Sequence, residues 1–188
     1  AVNKLGKSGV KLATLTNGSH LHEDIASAFA KYGTWIRVSI DGWDAESYAK
    51  IRNVKLTEFD MVINNMRSFA DLNSSCVLGV NYVIDNQNYG HVLEFTKLMK
   101  DVGVNHFKIM GVIVSNDGEV SNRYHNEIRE NVQRQIDQAK KLEDNKFKSI
   151  TEGNKNAKIE ILVYESLTCS HCATFHNEVY PHLKKNFI

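Results

Sequence analysis

The chain has 188 residues, 42% hydrophobic and 24% charged, with a formal net charge of +1. That is ordinary globular composition, and it excludes the strong field that would draw nucleic acid or an anionic membrane surface. No apolar run approaches the ~20 residues a membrane span needs. The mixed, polar residues 1–7 lack the apolar core of a secretory leader, so the default compartment is the cytoplasm. The missing initiator Met reads as a chain whose upstream residues are absent. Three cysteines, Cys76, Cys169 and Cys172, are too few for a disulfide-stapled scaffold. Cys76 opens an apolar run and reads as a buried small hydrophobe. The close spacing of the other two points to redox chemistry or metal binding.

In chain order, residues 11–15 read as a short strand ending in the turn signal Thr16-Asn17-Gly18. Ser19 is placed to cap a helix whose face carries Leu21, Ile25, Phe29 and Tyr32, and Gly33 stops it. Residues 35–40 are rich in β-formers and end at Asp41-Gly42. A short helix carries Tyr48 and Ile51. Thr57 is placed to cap a longer helix with Met61, Val62, Met66 and Phe69 on one face. Residues 77–84 form a third strand with a loop at 86–88. A helix over 92–102 presents Val92, Phe95, Leu98 and Met99 and ends at Gly103. Residues 106–114 form a fourth strand, 115–121 a polar loop, and 124–142 a long charged helix.

Four successive strand–helix units imply a parallel sheet with right-handed crossovers. A complete (β/α)₈ barrel takes about 250 residues, so the first 144 residues read as a partial barrel. Its two open edges are expected to be covered, for instance by oligomerisation. Residues 145–158 are rich in Asn, Lys and Gly without periodicity and read as a linker. Residues 159–188 hold a fifth apolar run, 159–164, and then Leu167-Thr168-Cys169-Ser170-His171-Cys172 entering a helix with Ala173, Phe175, Val179 and Leu183.

Several phrases of the first part occur together in order: Thr16-Asn17-Gly18, Trp35-Ile36-Arg37-Val38-Ser39-Ile40-Asp41-Gly42, Tyr48-Ala49-Lys50-Ile51-Arg52 and Leu78-Gly79-Val80-Asn81-Tyr82-Val83-Ile84. Residues from Lys11 to about Leu142 thereby resemble the middle and later part of a radical-SAM enzyme core. The resemblance implies that S-adenosylmethionine (SAM) lies at the C-terminal strand ends, with Ser39 and Arg52 holding its carboxylate and Asp41 a further contact. A planar guanidinium fork and a neutral hydroxyl suit a carboxylate. The competing reading of these three is strand-end capping and an ion pair. The family binds its [4Fe–4S] cluster through Cys-x-x-x-Cys-x-x-Cys, and this sequence has no such motif. It also lacks the Gly-rich segment after the second strand. An iron–sulfur cluster is therefore expected only in complete relatives.

The later stretch, Gly153, Ala157-Lys158-Ile159, Tyr164, Ser166-Leu167-Thr168-Cys169-Ser170-His171-Cys172, Phe175-His176 and Tyr180-Pro181, resembles the start of a DsbA-like thiol–disulfide oxidoreductase of thioredoxin fold. The resemblance implies protein thiols and disulfides as partners, Cys169 as nucleophile at a helix N-terminus, Cys172 as resolving thiol, and His171 as a nearby positive charge or hydrogen bond. Ser170 stands where relatives often have proline, which bears on the redox potential. The chain stops before the cis-proline loop and later strands of such a domain. A zinc site of Cys169, Cys172, His176 and His182 is the competing reading, but the four lie along one helix where they do not converge. No other metal spacing occurs: His20, His22, His91, His106 and His125 read as caps or surface residues. Three functions remain open: a thiol–disulfide module, a degenerate radical-SAM domain serving as a binding or scaffold unit, and a truncated or chimeric fragment with no function of its own.

Overall fold

The computed structural model describes residues 2–142, together with Pro181 and Lys185. The chain divides into two units, Ala1–Ser149 and Ile150–Ile188, and the fold below is that of the first. The strand at 159–164, Cys169, His171, Cys172 and the linker at 145–158 lie outside the described residues.

The described elements run α1 (Val2–Lys7), β1 (Leu12–Thr16), α2 (Glu23–Tyr32), β2 (Gly33–Ser39), α3 (Ala45–Arg52), α4 (Thr57–Asp71), β3 (Val77–Ile84), a 3₁₀ turn (Tyr89–His91), α5 (Val92–Val102), β4 (His106–Gly111) and α6 (Gly118–Lys140). The strands form one four-stranded sheet in the order β1-β2-β3-β4. Every pairing is parallel, with Trp35 opposite Val77 and Ser39 opposite Asn81 between the two central strands. Among the described residues the sheet is open, with β1 and β4 at its edges, as a partial barrel requires.

Alternation along the strands decides which face is covered. Ile36, Val38, Leu78, Val80 and Tyr82 are no more than 1% exposed. They pack with Val62, Met66 and Phe69 of α4 and Phe95 and Met99 of α5 in a single core. Among the described residues the other face, carrying Trp35, Arg37, Ser39, Gly79 and Asn81, has no such cover. α6 is secured through Gln135, which accepts from the Leu93 amide at 3.1 Å and donates to the Tyr89 carbonyl at 2.8 Å. No helix among the described residues is long and apolar enough to cross a membrane.

Local chemistry moves several boundaries away from the sequence expectation. Ser19 caps nothing: its hydroxyl donates to Asn17 Oδ1 at 2.8 Å inside the turn, and α2 starts only at Glu23. Ile25 is exposed, and the short Ala26 and Ala28 face inward instead. Thr57 is the first residue of α4; the cap position is Leu56, which makes no side-chain cap. β4 stops at Gly111 because the chain then turns to α6, where His125 Nε2 donates to the Val112 carbonyl at 2.8 Å. α6 begins earlier than expected, capped by Asp117, which accepts from the Glu119 amide at 2.8 Å. The short α1 was not expected from the polar opening residues. Gly33 ends α2 and opens β2 with no intervening loop. A Cβ there would lie 2.6 Å from the Phe29 carbonyl and 2.7 Å from Cys76 Sγ, so no larger residue fits.

Tyr82 is fully buried, stacked on Phe95 with ring centroids 4.5 Å apart, and its hydroxyl has no hydrogen-bond partner among the described residues. An unsatisfied buried hydroxyl is a net cost. Tyr82→Phe should therefore raise stability by about 1 kcal/mol, whereas Phe95→Ala should lower it by about 3–5 kcal/mol. Urea unfolding followed by tryptophan fluorescence measures both, since Trp35 and Trp43, the two tryptophans of the chain, lie in this unit. A destabilised Tyr82→Phe would show that the hydroxyl is satisfied.

Candidate functional site

The C-terminal ends of β2 and β3 bring together three residues that the sequence separates. Ser39 closes β2, Asp41 follows it, and Arg52 lies in the last turn of α3. A reciprocal capping box sets α3 in place: Asp44 accepts from the Ser47 amide at 2.8 Å, and the Ser47 hydroxyl accepts from the Asp44 amide at 3.1 Å. The helix then returns Arg52 to the strand end it left. One guanidinium nitrogen, Nη2, donates to the Ser39 carbonyl at 3.0 Å, to Ser39 Oγ at 3.2 Å and to Asp41 Oδ2 at 2.8 Å. Arg52 and Asp41 are 30% and 21% exposed, so the pair is half sheltered from solvent screening. The Arg52 Nε is buried with no partner among the described residues. The other Asp41 oxygen accepts from the Val83 amide at 3.3 Å and ties β2 to β3.

Asn88 is the second tie. It is 1% exposed. Its amide donates to the Asp41 carbonyl at 3.0 Å and the Val83 carbonyl at 2.8 Å, while its Oδ1 accepts from the Asp85 amide at 2.9 Å. Beside it, Trp43 stacks flat on His91 with ring centroids 3.8 Å apart, and His91 Nδ1 lies 2.9 Å from Glu94. Neither feature was expected from the sequence. An Asn in a loop signals only a turn, and a Trp–His stack across 48 positions leaves no local pattern.

Thus Ser39, Asp41 and Arg52 do meet, as partners of one another: an ion pair braced by a serine. Cys76 is elsewhere. It precedes β3 at its N-terminal end, 3% exposed, and burial pushes its thiol up to about 11. Ser39 pairs with Asn81, so the thiol lies about 16 Å back along the strand from that level. Among the described residues no three His, Cys, Asp or Glu side chains could hold a metal ion.

Residues 1–99 match the Radical SAM superfamily, and residues 144–188 match the Thioredoxin family. Over 130 residues the chain is 27% identical to "Probable GTP 3',8-cyclase" of Saccharolobus islandicus, covering 69% of this chain and 41% of the relative. Over 36 residues it is 47% identical to "Putative protein-disulfide oxidoreductase" of Rickettsia bellii, covering 19% of this chain and 14% of the relative. The chain thus spans well under half of either protein. In fold, it is similar to Streptococcus suis SuiB bound to S-adenosylmethionine, with a TM-score of 0.58 and 15% identity, over 77% of this chain and 33% of that one. Among the described residues the iron–sulfur cluster of that superfamily finds no ligand set: the one cysteine there, Cys76, is buried and neutral and precedes β3 at its N-terminal end.

The Asp41–Arg52 pair is testable by itself. Asp41→Ala should cost about 1.5–3 kcal/mol, the weight of hydrogen bonds to a charged group. A double-mutant cycle with Arg52→Ala should return a coupling of about 1 kcal/mol. Additive losses in urea unfolding would mean that the two do not interact.

Proposed function

The chain belongs to the radical SAM superfamily through residues 1–99, and from that premise we propose that it is a thiol–disulfide exchange segment attached to a radical-SAM fold whose own cysteines hold no cluster. In this reading residues 1–144 form the partial barrel, 145–158 the connection and 159–188 the exchange segment. The observation that carries it is Cys169-Ser170-His171-Cys172, an intact dithiol inside the stretch that matches the Thioredoxin family.

The step balances on the two cysteines. The Cys169 thiolate attacks one sulfur of a protein disulfide and releases the other as thiolate. Cys172 then attacks Cys169, releasing the second substrate thiol and closing a Cys169–Cys172 disulfide. Two electrons pass from the dithiol to the substrate. In this reading a helix starting at Cys169 would favour its thiolate through free amides and the helix dipole, and His171 would add positive charge or a hydrogen bond. A reducing compartment such as the cytoplasm supplies the reduced form, and a second copy could cover the open sheet edges.

A second reading rests on the Arg52 cluster. SuiB was solved with SAM, and Arg52 and Ser39 here would hold the SAM carboxylate, with Asp41 orienting the guanidinium. The Arg52 Nε fits this, being a buried donor without a partner among the described residues. Bound SAM supplies an electrophilic sulfonium. The residues present add only its binding and orientation.

Two measurements test these readings. In alkylation against pH, Cys169 should titrate below the free value of about 8.5, and Cys76 should stay silent until near pH 11. The variants Cys169→Ser and Cys172→Ser assign the signals, and modification of Cys172 alone near neutral pH would reverse the roles. In calorimetry with SAM, Arg52→Ala should weaken binding by about 1.5–3 kcal/mol. Equal affinity would remove Arg52 from the site.

A further inference from the structure

On the uncovered face, one row of the sheet runs Leu15, Arg37, Gly79, His106 in register across all four strands. Arg37 and His106 stand on strands either side of β3, about 9–10 Å apart at the backbone. Their side chains nevertheless meet, with Arg37 Nη2 3.5 Å from His106 Nε2. They reach each other because position 79 has no side chain. A Cβ there would lie 3.3 Å from the His106 carbonyl and 3.6 Å from His106 Cβ, on the side the two groups lean across. Trp35, one residue pair back on the same face, backs the guanidinium with its ring centroid 5.1 Å from Arg37 Cζ. Lys108 follows one pair further on, in register with Asn81.

Arg37 is a half-buried cation with no countercharge among the described residues. It forms no ion pair with any carboxylate among the described residues, where Arg52 and Arg67 each have one. Its Nε is buried with no partner among the described residues. The charges that act on His106 among the described residues, Arg37 and Lys108, are both basic. Burial, Arg37 and Lys108 together hold His106 below the ordinary imidazole range, which leaves its ring neutral and an acceptor for one Arg37 N–H. Removing an arginine from water with no anion beside it is costly. A planar guanidinium with unused donors, backed by an aromatic ring, is the usual receptor for an oxyanion.

We infer that the Arg37–Gly79–His106 row is an oxyanion site, which takes the carboxylate or phosphate of a small-molecule ligand on the half-exposed Arg37 guanidinium beside His106. It is separate from the Ser39–Arg52 cluster: Arg37 lies two residues earlier on the same strand, so a ligand held here would extend down the sheet from the strand ends.

The test uses the full chain and inorganic phosphate or acetate as probe, with the His106 ring resonances followed by NMR. Saturable shifts of His106 with one of the two probes are expected, and the tighter probe identifies the group recognised. Arg37→Gln should weaken binding at least about tenfold, the loss of a hydrogen bond to a charged group. Gly79→Val should do the same by parting Arg37 from His106. Arg37→Lys, which keeps the charge and the packing but not the fork, should lose part of the affinity, and tryptophan fluorescence confirms that each variant is folded. Lys97→Gln removes an equal charge from an exposed position on α5 and should change nothing. Absence of saturation with both probes, or an equal loss from Lys97→Gln, would overturn the inference. So would phosphate binding that depends on Arg52 and not on Arg37; that outcome would leave the Arg52 reading standing. SAM affinity unchanged by Arg37→Gln would show that the two sites are distinct.

Discussion

The in-register parallel pairing of β2 with β3 is the constraint on which the rest depends. Side chains alternate with a period of two, so a slip of one residue would carry Ile36 and Val38 to the open face and Arg37 and Ser39 into the core. Burying the first pair at 0% exposure forbids that slip. The same register delivers Ser39 and Asp41 to one end of the sheet and places Arg37 opposite Gly79. The hydrophobic face therefore positions the polar one, although the two share no side chains.

Elements whose apolar period was long and uninterrupted were legible from the sequence. β3 and α5 begin and end where expected, because eight or more residues of consistent pattern leave little choice, and Gly103, at φ 91°, marks the helix end by a backbone conformation other residues avoid. Boundaries that depend on a single polar side chain were not. A serine can cap a helix or close a turn, and at Ser19 the neighbouring Asn17 decided for the turn. The extent of β4 depended on His125, fourteen positions beyond the end of that strand. The same division holds at the site. Ser39, Asp41 and Arg52 could be grouped because they fall within one strand–helix unit. The contact between Arg37 and His106 spans 69 positions and three strands. It exists only once the register is set, and the histidine had been read as a cap or surface residue.

The two parts of the chain divide its chemistry cleanly. Burial holds the Cys76 thiol neutral at physiological pH, so in the proposed reading thiol exchange falls to Cys169 and Cys172. The described unit contributes no competing thiolate that could trap a mixed disulfide. What it contributes among the described residues is a set of polar side chains, Arg37, Ser39, Asn81 and His106, on the sheet face opposite the core.

Asn88 has a mechanical consequence. A single buried carboxamide grips the segment after β2 and the segment after β3 at once, with all three of its described bonds made to main-chain atoms. Neither segment can swing outward alone without stranding that amide in a dry interior, a penalty of about 1–3 kcal/mol. The two strand ends therefore behave as one rigid lip. Any closure over a ligand must come from elsewhere, and backbone amides on both sides of the lip share a single opening event and exchange their protons with solvent at a common rate.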